Sequence, residues 1–166
     1  HPLALGLGDS NDDGKLDVLI GKNHTGVGRG VQTFEGDNAY GFSFSEDISN
    51  GNYYTPIYVE SHDFNKDGVN EIITSNYNNS SNGGITVIFS DGTIRPLRPW
   101  PVYHTNGYNL IIEDLNNDGF SDIAVPVGDP ENLGPTGLAI MLSDGQTNFS
   151  QSFFELANSA CPQFRL

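Results

Sequence analysis

The chain has 166 residues, with 7 Lys plus Arg against 21 Asp plus Glu and a formal charge of −14. Such a surface repels phosphate backbones, which argues against nucleic acid as a partner, and no run of about 18 apolar residues exists to span a membrane. The 20 Gly, 9 Pro and 17 Phe plus Tyr lean towards strands and turns.

Read from the amino end, the alternating run Leu3–Gly8 predicts a strand, and an acidic loop follows it. A second strand is predicted over Leu16–Gly21, and a hairpin over VQTFEGDNAYGFSFSED. The order then recurs: strand Pro56–Glu60, acidic loop, strand Glu71–Thr74, hairpin ITVIFSDGTIRPL. It recurs again as strand Asn109–Glu113, acidic loop, strand Asp122–Val127, hairpin LAIMLSDGQTNFSQSFFEL. Asp91-Gly92 and Asp144-Gly145 read as two-residue hairpin turns. No sustained helical period interrupts these runs.

Three segments align without gaps: GDSNDDGKLDVLIG (Gly8–Gly21), HDFNKDGVNEIITS (His62–Ser75) and EDLNNDGFSDIAVP (Glu113–Pro126). Their first acids, Asp9, Asp63 and Asp114, are 54 and 51 residues apart. The hairpin acids Asp37, Asp91 and Asp144 are 54 and 53 apart. Two landmarks keeping one period define a repeat. The expected fold class is all-β: three four-stranded antiparallel blades at 1–52, 53–107 and 108–159, with 160–166 starting a further strand. Three blades do not close a ring. Without an initiator Met or a signal peptide, the sequence is expected to be a processed or excised piece, and the blades to belong to a longer chain as a partial propeller, to join with those of further copies, or to stack as an open array.

Each loop reads Asp-x-Asn-x-Asp-Gly-x-x-Asp/Glu, which places oxygen donors at alternate positions of a tight turn. Calcium takes about 6 to 8 oxygen ligands in flexible geometry. The first loop offers Asp9, Asn11, Asp13, the Lys15 carbonyl and Asp17; the second Asp63, Asn65, Asp67, the Val69 carbonyl and Glu71. The third offers Asp114, Asn116, Asp118, the Phe120 carbonyl and Asp122. Three structural Ca²⁺ are therefore expected. An EF-hand needs Glu at position twelve, which here is Ile20, Thr74 and Val125. Nine of the 21 acids sit at ligand positions, leaving 12 against 7 bases, so much of the acidity is accounted for by the loops.

The loops and their spacing resemble the FG-GAP/VCBS repeat family, found in the calcium-binding blades of integrin α-subunit propellers and in propeller lectins. The Phe-Gly…Gly-Ala-Pro signature is mostly replaced, by LIGKNH, ITSNYN and VPVGDP, which points to the broader VCBS-like branch. The resemblance implies an extracellular or cell-surface segment acting in adhesion, with a glycan or protein ligand. A fibre of head-to-tail repeats is the alternative, the partner then being further repeats of the same kind; a secreted enzyme scaffold is a third.

The remaining residues add little chemistry. Tyr53, Tyr54, Trp100, Tyr103 and Tyr108 cluster between repeats, to wedge blades or face a sugar. Asn23, Asn78, Asn79 and Asn148 begin glycosylation sequons. Cys161 has no partner in the chain and is either a small buried hydrophobe or paired outside it. His1 as a copper ligand lacks a facing His and a compact sandwich, and the glycines of Gly26–Gly30 lack a phosphate-loop ending. No Ser/His/Asp set is supported by a motif, so no catalytic residue is expected.

Overall fold

A computed structural model of the chain describes residues 2–22, 30–49, 55–77, 84–98, 110–127 and 137–155. All regular structure among them is strand. Sheet 1 is built from β1 (Pro2–Gly8), β2 (Asp17–Lys22), β3 (Gly30–Gly36) and β4 (Phe42–Ser49). Sheet 2 holds β5 (Thr55–His62), β6 (Glu71–Tyr77), β7 (Gly84–Ile88) and β8 (Ile94–Leu97). Sheet 3 holds β9 (Ile111–Glu113), β10 (Asp122–Val127), β11 (Gly137–Ser143) and β12 (Phe149–Glu155). Each is an antiparallel meander in chain order, as a propeller blade requires, and the three do not close into a ring.

Alternation along the strands gives every sheet a front face towards the preceding sheet and a back face towards the next. In sheet 1 the register Leu5↔Ile20 and Leu7↔Val18 puts those residues in front, while Ala4, Leu19 and Val31 lie behind. The back residues close a core with Val59, Ile72 and Ile88 from the front of sheet 2. The back of sheet 2 contributes Ile73, Ile85 and Val87 to a larger core completed by Ile123, Val125 and Met141 of sheet 3. Each such side chain is worth about 1.5–3 kcal/mol on burial. The two cores hold the three sheets as a stack.

Sheet 2 is covered on both sides, so Glu71–Asn76 and Gly84–Ile88 are buried continuously rather than alternately. Among the polar groups caught there, Asn76 finds partners, its Nδ2 donating to Thr86 Oγ1 (3.0 Å) and to the Gly84 carbonyl (3.3 Å), whereas Thr74 Oγ1 has none among the described residues.

The first two sheets meet through glycine. A Cβ on Gly6 would lie 2.2 Å from the Val59 carbonyl oxygen, and one on Gly8 2.4 Å from the Ser61 Cβ. The back of β1 therefore lies almost backbone to backbone against β5.

The hairpins differ from the two-residue turns expected at Asp91-Gly92 and Asp144-Gly145. In each, an N–H reaches the carbonyl four residues on: Asp37 to Gly41 (3.1 Å), Phe89 to Thr93 (2.8 Å) and Asp144 to Asn148 (3.1 Å). Three residues are looped out. The cause is the Asp side chain, which accepts from the N–H two residues ahead: Ala39 (2.7 Å), Thr93 (2.7 Å) and Gln146 (2.9 Å). Gly92 and Gly145 take the positive φ this path needs (83° and 72°).

Replacing Gly6 by Ala forces a methyl into the Val59 peptide. Urea unfolding of Gly6→Ala should show a loss of about 1–3 kcal/mol, the usual cost of overpacking. An unchanged midpoint would mean that the two sheets do not meet this closely.

Candidate metal sites

The three acidic loops join the first strand of each sheet to its second, and their backbones are alike. The fourth residue has φ near +60° in all of them: Asp12 (58°), Lys66 (59°) and Asn117 (61°). The sixth, Gly14, Gly68 or Gly119, has φ of 77°, 93° and 98°. Two left-handed residues in five roll the chain so that the side chains at positions one, three and five turn back over the loop's own amides.

Those side chains are nested. At position one, Asp9 Oδ2 accepts from the Gly14 N–H (2.8 Å), Asp63 Oδ2 from Gly68 (3.1 Å) and Asp114 Oδ2 from Gly119 (2.9 Å). At position three, Asn11, Asn65 and Asn116 Oδ1 accept from the N–H of Asp13, Asp67 and Asp118 (3.1, 2.9 and 2.8 Å). At position five, those three Asp accept from the N–H of Lys15, Val69 and Phe120 (2.9, 2.8 and 2.9 Å). The loops are repeated in atomic detail, not only in sequence.

The ninth-position acids are fully buried and work differently. Asp17 accepts from the Ser10 N–H (3.0 Å) on one oxygen and from the Gly36 N–H (3.1 Å) on the other. Asp122 does the same with Leu115 (3.0 Å) and Ser143 (2.9 Å). Each carboxylate thus ties its loop to the end of the third strand. Glu71, one methylene longer, takes the Phe64 N–H on Oε2 (2.9 Å), while its Oε1 is buried without a partner.

That difference singles out the second loop. Three buried side-chain polar atoms lack a partner among the described residues, and two of them, Asp63 Oδ1 and Glu71 Oε1, are carboxylate oxygens of this loop. Glu71 is pushed up to about 7, first by burial and then by repulsion from Asp67 and Asp63, against the pull of the Phe64 N–H. In the outer loops the exposed acids move the other way. Asp13 is held below its ordinary value chiefly by Lys15, and Asp118 chiefly by the Phe120 N–H. A hard cation taking all-oxygen ligands would supply what the second loop lacks.

Among the described residues no three Asp, Glu, His or Cys side chains already converge as a metal cluster. The hydrogen bonds above give the reason: the first acid of every loop faces a loop amide, and in the first and third loops the ninth acid is held between a loop amide and a third-strand amide. The donor set of each loop also draws on Asn side chains and peptide carbonyls, including those of Lys15, Val69 and Phe120. The residues of the second loop fit calcium best.

Residues 9–74 match the family model of the FG-GAP-like repeat. This FG-GAP-like stretch runs from the first acid of loop one into β6, ending at Thr74, and so includes two complete loops. The third loop, beyond the match, keeps the same two positive-φ positions and the same nested bonds. No curated protein matches the sequence.

Several contacts around the loops were not legible from the motif. Phe64, at position two, is wholly buried and packs edge-on against His62 and against Phe149 of sheet 3 (5.3 and 5.9 Å between centroids). Position eight latches neighbouring sheets: Asn70 Nδ2 donates to the Asp9 carbonyl (2.7 Å), and Ser121 Oγ bonds His62 Nε2 (2.7 Å). A cleft of about 380 Å³ opens between the first two sheets on the loop side, lined by Ser10, Asn11, Glu46, Asn70 and Ser90 over Ile72 and Ile88. Of the sequons only Asn148 lies among the described residues; it is exposed and its Nδ2 donates to Asp144 (2.8 Å). Asn23, Asn78, Asn79, the inter-repeat aromatics Tyr53, Tyr54, Trp100, Tyr103 and Tyr108, and Cys161 lie outside them.

Gly68 faces open space, so only its backbone angle resists a side chain. Gly68→Ala should therefore cost about 1 kcal/mol, the strain of a left-handed L-residue. A chemical melt matching that of the parent would show that the loop does not hold this conformation in solution.

Proposed function

We infer that the chain is a calcium-binding segment of a propeller-type protein, extracellular or at the cell surface, used in ligand recognition. The supporting observation is the second loop. Two buried carboxylate oxygens stand unpartnered in a turn whose sequence and backbone occur three times. A polar backbone turn with no further role would satisfy those oxygens itself, as the outer loops largely do. In this reading Asp63, Asn65, Asp67, the Val69 carbonyl and Glu71 hold one Ca²⁺, and the corresponding residues of the other loops hold one each. Bound calcium supplies positive charge where buried acids repel one another.

The role of the ion is structural, clamping the turn between the first and second strands. The polar cleft between the first two sheets is suited to a glycan or a polar peptide, since it offers hydroxyl, amide and carboxylate groups above an apolar floor. This reading gives the chain binding and no catalysis. Secretion suits it because extracellular calcium modules work at about 10⁻⁴–10⁻³ M.

Calorimetric titration should find about three calcium sites. At tenfold the dissociation constant each contributes about 1.4 kcal/mol. The three together should raise the melting temperature by roughly 8–16 °C at this chain length. Chelation should reverse the rise, and a melt indifferent to chelator rules the assignment out.

Glu71→Gln carries a sharper test. With calcium it should lower stability and remove one binding site. In chelator it should raise stability, because a neutral amide ends the repulsion from Asp63 and Asp67. A loss of stability under both conditions would make Glu71 a packing residue only.

A further inference from the structure

The acidic loops of neighbouring sheets touch, and each time through the side chain at position eight. Asn70, at that position in the second loop, donates to the carbonyl of Asp9, the first acid of the first loop (2.7 Å). Ser121, at that position in the third loop, shares a hydrogen bond with His62, the residue before the first acid of the second loop (2.7 Å). Ser61 adds a longer bond to the Asp9 carbonyl (3.3 Å). In the first loop position eight is Leu16, exposed and apolar. The polar side chains stand where a preceding loop is within their reach.

Both contacts involve the second loop, one near each end. Asn70 is flanked by Val69 and Glu71, and His62 precedes Asp63. Asp63 Oδ1 and Glu71 Oε1 are the two carboxylate oxygens buried without a partner among the described residues. The groups with most to gain from a cation are therefore chain neighbours of the groups that touch the other loops. The far end of each contact is also a ligand position or next to one. It is Asp9 itself in the first loop, and in the third it is Ser121, between the Phe120 carbonyl and Asp122.

An ion that draws Asp63 and Glu71 together fixes the main chain beside each of them. Asn70 then holds the Asp9 peptide in place, and His62 holds Ser121. Part of the ordering cost of the outer loops is met before their own ions arrive, which is positive coupling. Between binding sites such coupling acts equally in both directions.

Resting on the calcium assignment above, we propose that the second loop is the coupling centre of the three sites. It fills first, and its ion strengthens binding in the first loop through Asn70 and in the third through His62 and Ser121. Asn70 and Ser121 are positioning residues, not ligands.

Titration of the isotope-labelled chain with calcium chloride, followed by nuclear magnetic resonance, reads the loops separately. The reporters are the amides of Gly14, Gly68 and Gly119, each of which donates to the first acid of its own loop. In the parent, Gly68 should respond at the lowest calcium, with Gly14 and Gly119 following. Glu71→Gln should raise the midpoints of Gly14 and Gly119 about fivefold, the lower end of typical coupling. Asn70→Ala should raise the midpoint of Gly14 and leave that of Gly119, and Ser121→Ala should do the reverse. A common shift of all three glycines in either of these variants marks a general loosening and overturns the proposal. So do outer midpoints that stay put or fall in Glu71→Gln, since the sites are then independent or their ions repel, while calcium binding itself stands. Silence at all three glycines removes the calcium assignment together with the coupling.

Discussion

A carboxylate buried at the end of a turn has to be held on both oxygens, and in this fold that requirement decides where each acidic loop sits. Asp17 and Asp122 meet it with a loop amide on one side and a third-strand amide on the other. The bond pair spans strands one, two and three of a single sheet, so it fixes the turn as well as the strand it caps. Desolvating a carboxylate without such partners costs several kcal/mol. In the central sheet Glu71 reaches the loop amide but leaves its second oxygen bare. With one added methylene, the carboxylate that Asp17 and Asp122 hold on both oxygens is held on one.

The central sheet bears a second burden, being covered on both sides. Its strands carry Thr74, Ser75, Asn76 and Thr86 in fully buried positions. Outer sheets can leave such groups to water; here Asn76 is paired across β6 and β7, while Thr74 Oγ1 stays without a partner among the described residues. The loop with unpartnered carboxylate oxygens and the strands covered on both sides therefore share one sheet. The FG-GAP-like match ends inside it, at Thr74.

Much of the architecture was legible before the coordinates, because it depends on local chemistry. Gly at position six and Asp or Asn at positions one, three and five specify the turn whatever surrounds it. The repeat period then places strands on either side, and β10 (Asp122–Val127) falls where alternation puts it. What escaped the sequence depends on neighbours. Phe64 reads as a loop residue, and only the sheet stacked behind it makes it core. Asn70 and Ser121 look like solvent-facing spacers, yet they join adjacent sheets. The hairpin loops were misjudged by one residue because an Asp capturing an amide two places ahead outweighs the Asp-Gly preference for a shorter turn. Tyr53, Tyr54, Trp100, Tyr103 and Tyr108 lie outside the described residues.

The two internal interfaces are built from different materials. Between sheets 2 and 3 the contact is made by side chains such as Phe64, Phe89, Leu97 and Met141, where exchanges that conserve volume are tolerated best. Between sheets 1 and 2 Gly6 abuts the Val59 peptide and Gly8 the Ser61 Cβ, and neither a main chain nor a Cβ has a rotamer with which to adjust. Drift and redesign thus have unequal room in one small molecule. A library varied at the second interface would return many workable solutions, whereas one varied along β1 would return the parent glycines.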